Sequence, residues 1–309
     1  MRQAVAVQSD LPKPAAESRG RTIWAAVRRQ PAAATGLVTL VLFVLVAALA
    51  PLIASYGERE RVGDSFAPPS PAHPFGLDDG GVDMLTLMLY GARISLIVGF
   101  AAAIVAMIIG GAVGVLGGYF GGKLDMLLNG LANYVYAIPD IPLILVIAAI
   151  WGRSLTNIIL IIGVIYWAST ARLVRAEVKS LRERVYVKRA RSLGVGHLRL
   201  VVRHILPQVA PLLVALTVLQ MAYAIFLETS IAFLGLGDPS LTSWGKLIQN
   251  AFEANAITAG AWWALVPPGV AVVIVVLACT LLGRAIEDAL NPRLRVGHLS
   301  VRRFRLRSP

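Results

Sequence analysis

The chain has 309 residues, 57% of them hydrophobic and 15% charged, with a formal net charge of +12. That apolar content, at a mean hydropathy of +0.71, exceeds what one soluble core can bury and makes lipid the natural solvent for the excess. The single cysteine, Cys279, excludes an internal disulfide.

A hydrocarbon core about 30 Å thick is crossed by about 20 apolar residues rising 1.5 Å each. Six runs of that order occur, at 36–53, 94–116, 127–150, 155–173, 209–233 and 262–282. They predict an all-α polytopic membrane protein with six transmembrane helices. Residues 1–35 read as a cytoplasmic tail whose stretch 24–30 is an interfacial lead-in. No apolar core followed by a cleavage site marks that tail as a removable signal. Residues 36–90 hold the first span and an external loop in which Pro68, Pro69, Pro71 and Pro74 preclude a regular helix. Residues 91–285 form the remaining five-helix core, and 286–309 a basic cytoplasmic tail. Gly110, Gly111, Gly114, Gly117 and Gly118 in the second span permit close backbone approach. That approach serves either internal packing or a face shared with another subunit. The third span is interrupted by Ile138, Pro139, Asp140, Ile141 and Pro142, so a kink is expected there that faces protein or water rather than lipid. Between the last two spans, Trp244, Leu247, Ile248, Ala251 and Phe252 recur at helical spacing within 241–255. This predicts a short external helix lying at the interface.

Cations are concentrated within 2–29, 172–203 and 284–307, whereas the alternate connections hold Arg59 and Arg61, then Arg153, then Lys246, with Arg93 at an interface. The positive-inside bias therefore puts both termini in the cytoplasm. It also explains the basicity without nucleic acid, because the basic stretches lack the interleaved aromatics of a stacking platform. The cationic ends suit anionic membrane lipid.

The connection at 176–208 is too long for a simple turn. Tyr186, Ala190 and Leu193 recur at i, i+4 and i+7; Leu198, Val201, Val202 and Ile205 form a second apolar stripe beside Arg199 and Arg203. Gly194 suits the left-handed reversal between them. Pro207 is expected to limit the second helix. A pair of this kind lies along a membrane or seats in a partner's groove.

The run YVKRARSLG from Tyr186, with HILP ending at Pro207, resembles the coupling-loop signature of ABC importer permeases. Lys188, Arg189 and Ala190 occupy the three core places, usually Glu-Ala-Ala, while Gly194, Leu206 and Pro207 match outright. Further stretches are similar to the second permease of dipeptide, oligopeptide and nickel importers: HPFGLDDGGVDMLTLMLYGARISLIVG from His73, LETSIAFLGLGDPSLTSWG from Leu227, AWWALVPPG from Ala261 and the closing LLGRAIEDALNP. Leu77 and Val82 replace the usual Thr and Arg of the first of these.

The resemblance implies a non-enzymatic translocation subunit of a bacterial or archaeal plasma membrane, working by alternating access. The implied partners are a second homologous permease, two cytoplasmic ATPases and an external solute-binding protein. Tyr186, Lys188, Arg189, Ala190, Gly194, His204, Leu206 and Pro207 become the expected ATPase-coupling residues. The expected cargo is di- or oligopeptide, with nickel complexes and oligosaccharides as alternatives. No Gly-rich loop ending in Gly-Lys-Ser or Gly-Lys-Thr is present. Cofactors are accordingly expected to be none in this chain, with ATP and Mg bound by the partner ATPases.

Asp140 and Glu228 lie within apolar spans and are candidate pathway residues, since a buried charge is costly. The reading as a hydrogen-bonded structural acid near a helix end is favoured for both, more strongly for Glu228. The principal rival reading is a stand-alone ion-coupled secondary transporter, for which Asp140 is the only good coupling acid and related halves are missing. A membrane-embedded hydrolase is a third reading, without a nominated catalytic pair. Asp78, Asp79 and Asp83 lack calcium-loop spacing, and Asp83 is placed to cap the helix beginning at Met84. His73, His197, His204 and His298 are scattered without metal-ligand spacing, and His204 is expected to hydrogen-bond near the turn into the fifth span.

Overall fold

Backbone immersed in lipid must satisfy its own hydrogen bonds, so long apolar runs fold as helices. The computed structural model describes residues 30–290. The interfacial lead-in at 24–29, most of the two tails and His298 lie outside the described residues. In chain order the elements are α1 (Pro31–Ile53), α2 (Met84–Phe120), α3 (Gly122–Ala137), α4 (Asp140–Trp151), α5 (Leu155–Arg182), α6 (Val185–Ser192), α7 (His197–Leu200), α8 (Leu206–Phe233), α9 (Trp244–Glu253) and α10 (Val266–Leu290). A π turn at Val201–Ile205 joins α7 to α8, and a single 3-10 turn at Trp262–Ala264 precedes α10.

Five helical stretches are long and apolar enough to cross a membrane, and α3 with α4 makes a sixth if that broken pair is one span. The third run is thus not a kinked helix. Its halves meet at 87°. Ile138 is extended, as a residue before proline must be, and Pro139 has no N–H to continue the ladder.

The spans also outrun their apolar windows. The 37 residues of α2 would measure about 55 Å, well beyond the hydrocarbon core. Asp83 starts this helix early by accepting a hydrogen bond from the Thr86 N–H at 2.8 Å, the capping role expected of it. At its far end α5 runs on to Arg182, well past residue 173.

The glycines of α2 face inward. A Cβ on Gly110 would stand 2.5 Å from the Trp167 carbonyl oxygen, one on Gly114 2.7 Å from that of Ala171, and one on Gly118 2.9 Å from that of Arg175. All three partners are on α5, so the stripe serves internal packing. Gly111 faces Leu213 of α8, and Gly117 faces Asp125 of α3.

Ala33 near the start of α1 packs against Leu282, Ala285 and Ile286 of α10, so the two ends of the described chain share one end of the bundle. The α5–α8 connection lies at that same end, called here the basic end. At the opposite end, residues 54–83 form no helix, and the Trp263 indole N–H donates to the Leu77 carbonyl at 3.1 Å, holding this loop on the bundle. The helix α9, expected at the interface, is capped by Ser243 and leaves Phe252 exposed. Its Trp244, Leu247 and Ala251 are buried against α2 and α8.

Candidate functional site

The break between α3 and α4 opens one wall of a cavity of about 500 Å3. The other walls come from α5 and α8. Asp140, the first residue of α4, takes its own helix's Ile141 N–H on Oδ1 at 2.9 Å, and the Tyr166 hydroxyl donates to Oδ2. Anionic charge at a helix start is favoured by the peptide dipoles. Tyr223 stacks on Tyr166 with ring centres 6.2 Å apart, and Gln220 donates to the Ser169 hydroxyl at 2.8 Å. Tyr136 completes a wall of three phenols. The arrangement gathers an acid, phenols, a hydroxyl and an amide in one place, and Asp140 and Tyr223 are exposed. The proline-broken backbone at 138–140 therefore lines a cavity.

The second locus is the α6–α7 pair at the basic end. Helix α6 ends in a Schellman turn. The Val195 N–H bonds the Ala190 carbonyl at 3.2 Å, the Gly194 N–H bonds that of Arg191 at 3.0 Å, and Gly194 has φ +78°. Val187, Leu200 and Ile205 are fully buried against the bundle, while Leu193 is 84% and Leu198 79% exposed. The apolar stripes expected from spacing are therefore mis-phased. Of the residues they named, only Ile205 is buried, Ala190 and Val201 are partly so, and Val187 and Leu200 carry the packing.

Pro207 does not end the second helix. The Leu206 N–H reaches the Val201 carbonyl, a five-residue step that widens the turn where proline supplies no donor, and the helix runs on as α8. His204 accepts from the Gln208 amide through its backbone carbonyl at 2.8 Å, and that amide also meets the Tyr186 hydroxyl. Lys188 lies 2.9 Å from Glu183, and this hydrogen bond holds the Glu183 carboxyl below its ordinary range. The pair is exposed on both sides and stabilises little.

Residues 110–296, well over half the chain, match the model of the binding-protein-dependent transport system inner membrane component. Residues 18–69 match the N-terminal transmembrane domain of oligopeptide transport permease C. The chain belongs to this family of transport permeases. Among its relatives, a Brucella suis permease assigned to a peptide transport system is 38% identical over 84% of this chain and 88% of its own length. The dipeptide transport system permease DppC of Alkalihalophilus pseudofirmus is 35% identical over 91% of this chain and 92% of its own. The oligopeptide transport system permease OppC of Escherichia coli K12 is 36% identical over 90% and 94%. The chain is thus the membrane-embedded translocation component of a binding-protein-dependent system.

In this permease Glu228 stands away from the cavity. It is 3% exposed and accepts from the Ser95 hydroxyl at 3.1 Å, while that hydroxyl takes the Trp244 N–H at 3.3 Å. The acid thus ties α8 to α2 and the start of α9.

Two assemblies at the basic end of the permease escaped sequence reasoning. Asp125 on α3 accepts two bonds from Arg175 and one at 2.7 Å from Lys179, both on α5. Tyr119, buried at the end of α2, shares a 2.9 Å hydrogen bond with His197, while Arg182 donates to its carbonyl at 3.1 Å and the Arg191 guanidinium stands 5.6 Å from its ring centre. The i, i+4 spacing of Arg175 and Lys179 marks one face and was the available signal for the first. Nothing local signals the second.

Proposed function

We propose that the permease is the second of two membrane subunits in an importer that carries short peptides inward by alternating access. Two ATPases at the basic end supply the energy. Support for the cargo comes from the relatives, whose names specify peptide, dipeptide and oligopeptide transport. Support for the partners comes from the family, a component of binding-protein-dependent transport systems.

The observation that carries this reading is the α6–α7 pair. Its buried flank fastens it to the bundle, yet Leu193 and Leu198 stand out among cations at an end of the molecule where water gives them no stabilisation. A groove on a partner protein does. In this reading Tyr186, Lys188, Arg189, Ala190 and Gly194 form the docking contact, and His204, Leu206 and Pro207 pass its movement into α8. ATP and Mg belong to the ATPases. The basic end is cytoplasmic, and both termini with it, by the positive-inside bias. A second permease supplies the facing half of the pathway, and a solute-binding protein delivers cargo at the opposite end.

Alternating access follows if ATP-driven closure of the ATPases moves the helix pairs of both permeases together and rigid helices carry the displacement to the cavity. The test is reconstitution of the four-chain complex with its binding protein in proteoliposomes. ATP-dependent accumulation of a labelled dipeptide is expected. Accumulation without ATP, or by the permeases without the ATPases, would overturn it in favour of a secondary transporter.

A further inference from the structure

The cavity at the broken span has a definite electrostatic character. Asp140 is its only charged lining residue, and no lysine or arginine lines it among the described residues, in a chain whose net charge is +12. Arg172, which meets the Tyr136 wall, is already engaged: its guanidinium stands 4.2 Å from the Tyr136 ring centre and donates to Asn133 at 3.4 Å. Three phenol rings line the same cavity as the carboxylate, and Tyr166 touches it through its hydroxyl.

A cavity that holds a carboxylate and aromatic rings attracts cations in two ways. Charge-assisted hydrogen bonds to a carboxylate are about twice as strong as neutral ones, and an ammonium over an aromatic face gains about 0.5–2 kcal/mol, more as water is excluded. The Tyr166 hydroxyl and the Ile141 N–H each take one lone-pair direction of Asp140. An ionised carboxyl offers about four, so acceptor capacity is left for a ligand.

We propose that this cavity is a transit site for a primary ammonium group, the free amino terminus of a peptide, with Asp140 as its counter-charge and Tyr223 and Tyr166 as its aromatic wall. This rests on the peptide-import reading above and goes beyond it by assigning the chemical group recognised and the residues that recognise it. Ser169 and Gln220 line the same space; the Ser169 hydroxyl donates to the Tyr166 carbonyl at 2.9 Å and the Gln220 amide nitrogen donates to Ser169, which leaves the Gln220 carbonyl oxygen to suit the first peptide N–H.

Asp140 also stabilises the start of α4, so loss of activity on its replacement would not by itself separate recognition from architecture. Equilibrium binding to the complete permease–ATPase complex, without the binding protein, does. Radiolabelled alanyl-alanine and its N-acetyl derivative serve as probes, because acetylation removes the only cationic group and leaves the rest of the chain. The free dipeptide is expected to bind about tenfold more tightly, the factor one charge-assisted bond supplies. Asp140→Asn should bring the two within about twofold. Tyr223→Phe, which keeps the ring face, should preserve the preference, and Tyr223→Leu should reduce it about threefold.

Equal binding of both probes by the wild-type complex, binding of neither, or an intact preference in Asp140→Asn would overturn the site. The Tyr223 pair reports even if the Asp140 variant fails to fold, and an equal preference in the Phe and Leu variants would remove the aromatic wall from the proposal. ATP-driven dipeptide uptake by the wild-type complex is measured alongside. If uptake proceeds while the binding preference is missing, the ammonium site fails and peptide import stands. If no peptide is taken up, the import reading fails first.

Discussion

Gly194 holds φ at +78° and has no heavy atom within 4 Å of where a Cβ would stand. Replacement therefore strains the backbone and collides with nothing, at a cost of about 1–2 kcal/mol for an L-residue. Gly194→Val is expected to deform the turn between α6 and α7, lowering uptake and substrate-stimulated ATP hydrolysis severalfold while the complex still copurifies. Normal activity in that variant would detach the turn from coupling. Asp125 is a different case, because its loss leaves Arg175 and Lys179 facing one another without their shared acceptor. Asp125→Asn should destabilise the permease by about 1–3 kcal/mol, read as a lower thermal midpoint in detergent, with a smaller effect when Arg175 is already replaced. Sequence reasoning reached Gly194 because the need for a left-handed turn residue is local. It did not reach Tyr119 and His197, which bond across 78 positions.

Helix α2 lies against α5 along a line of glycines, and what a side chain would do there depends on the neighbouring backbone. A Cβ on Gly114 would stand 2.7 Å from both the Ala171 carbonyl oxygen and the Val174 Cβ. Gly114→Val is expected to part the two helices and destabilise the fold by about 1–3 kcal/mol or more, seen in thermal unfolding of the purified permease. An unshifted midpoint would show that the helices are not in close contact there. The presence of these glycines was legible in the sequence, and their direction was not, since small residues serve an internal and an intersubunit face equally well. The same holds for the apolar stripes of α6 and α7. Spacing identifies helices, yet in a segment bordered by bundle, lipid, water and partner, more than one face carries apolar residues, and only packing selects the one that is buried.

At the scale of the whole molecule, both ends of the described chain meet at the basic end, and the assignment of that end to the cytoplasm is directly testable. Cys279 is fully buried, so single cysteines at the exposed positions Ser55 and Ser192 can be labelled over a silent background. Ser55→Cys should react with an impermeant maleimide from outside intact cells, and Ser192→Cys only after permeabilisation. The reverse pattern would invert the topology. The class of molecule, the approximate position of each span, the family and the concentration of cations in alternate connections were legible in the residues alone. Those depend on sums over short windows and on short motifs, and lipid enforces them residue by residue. It took the packed helices to show that the third run breaks through 87° beside a cavity, that Asp140 lines this cavity while Glu228 is enclosed behind Ser95, and that Pro207 is absorbed by a π turn. Each of these outcomes depends on which distant backbone, hydroxyl or ring comes within hydrogen-bonding or packing distance, and that is settled when the helices pack.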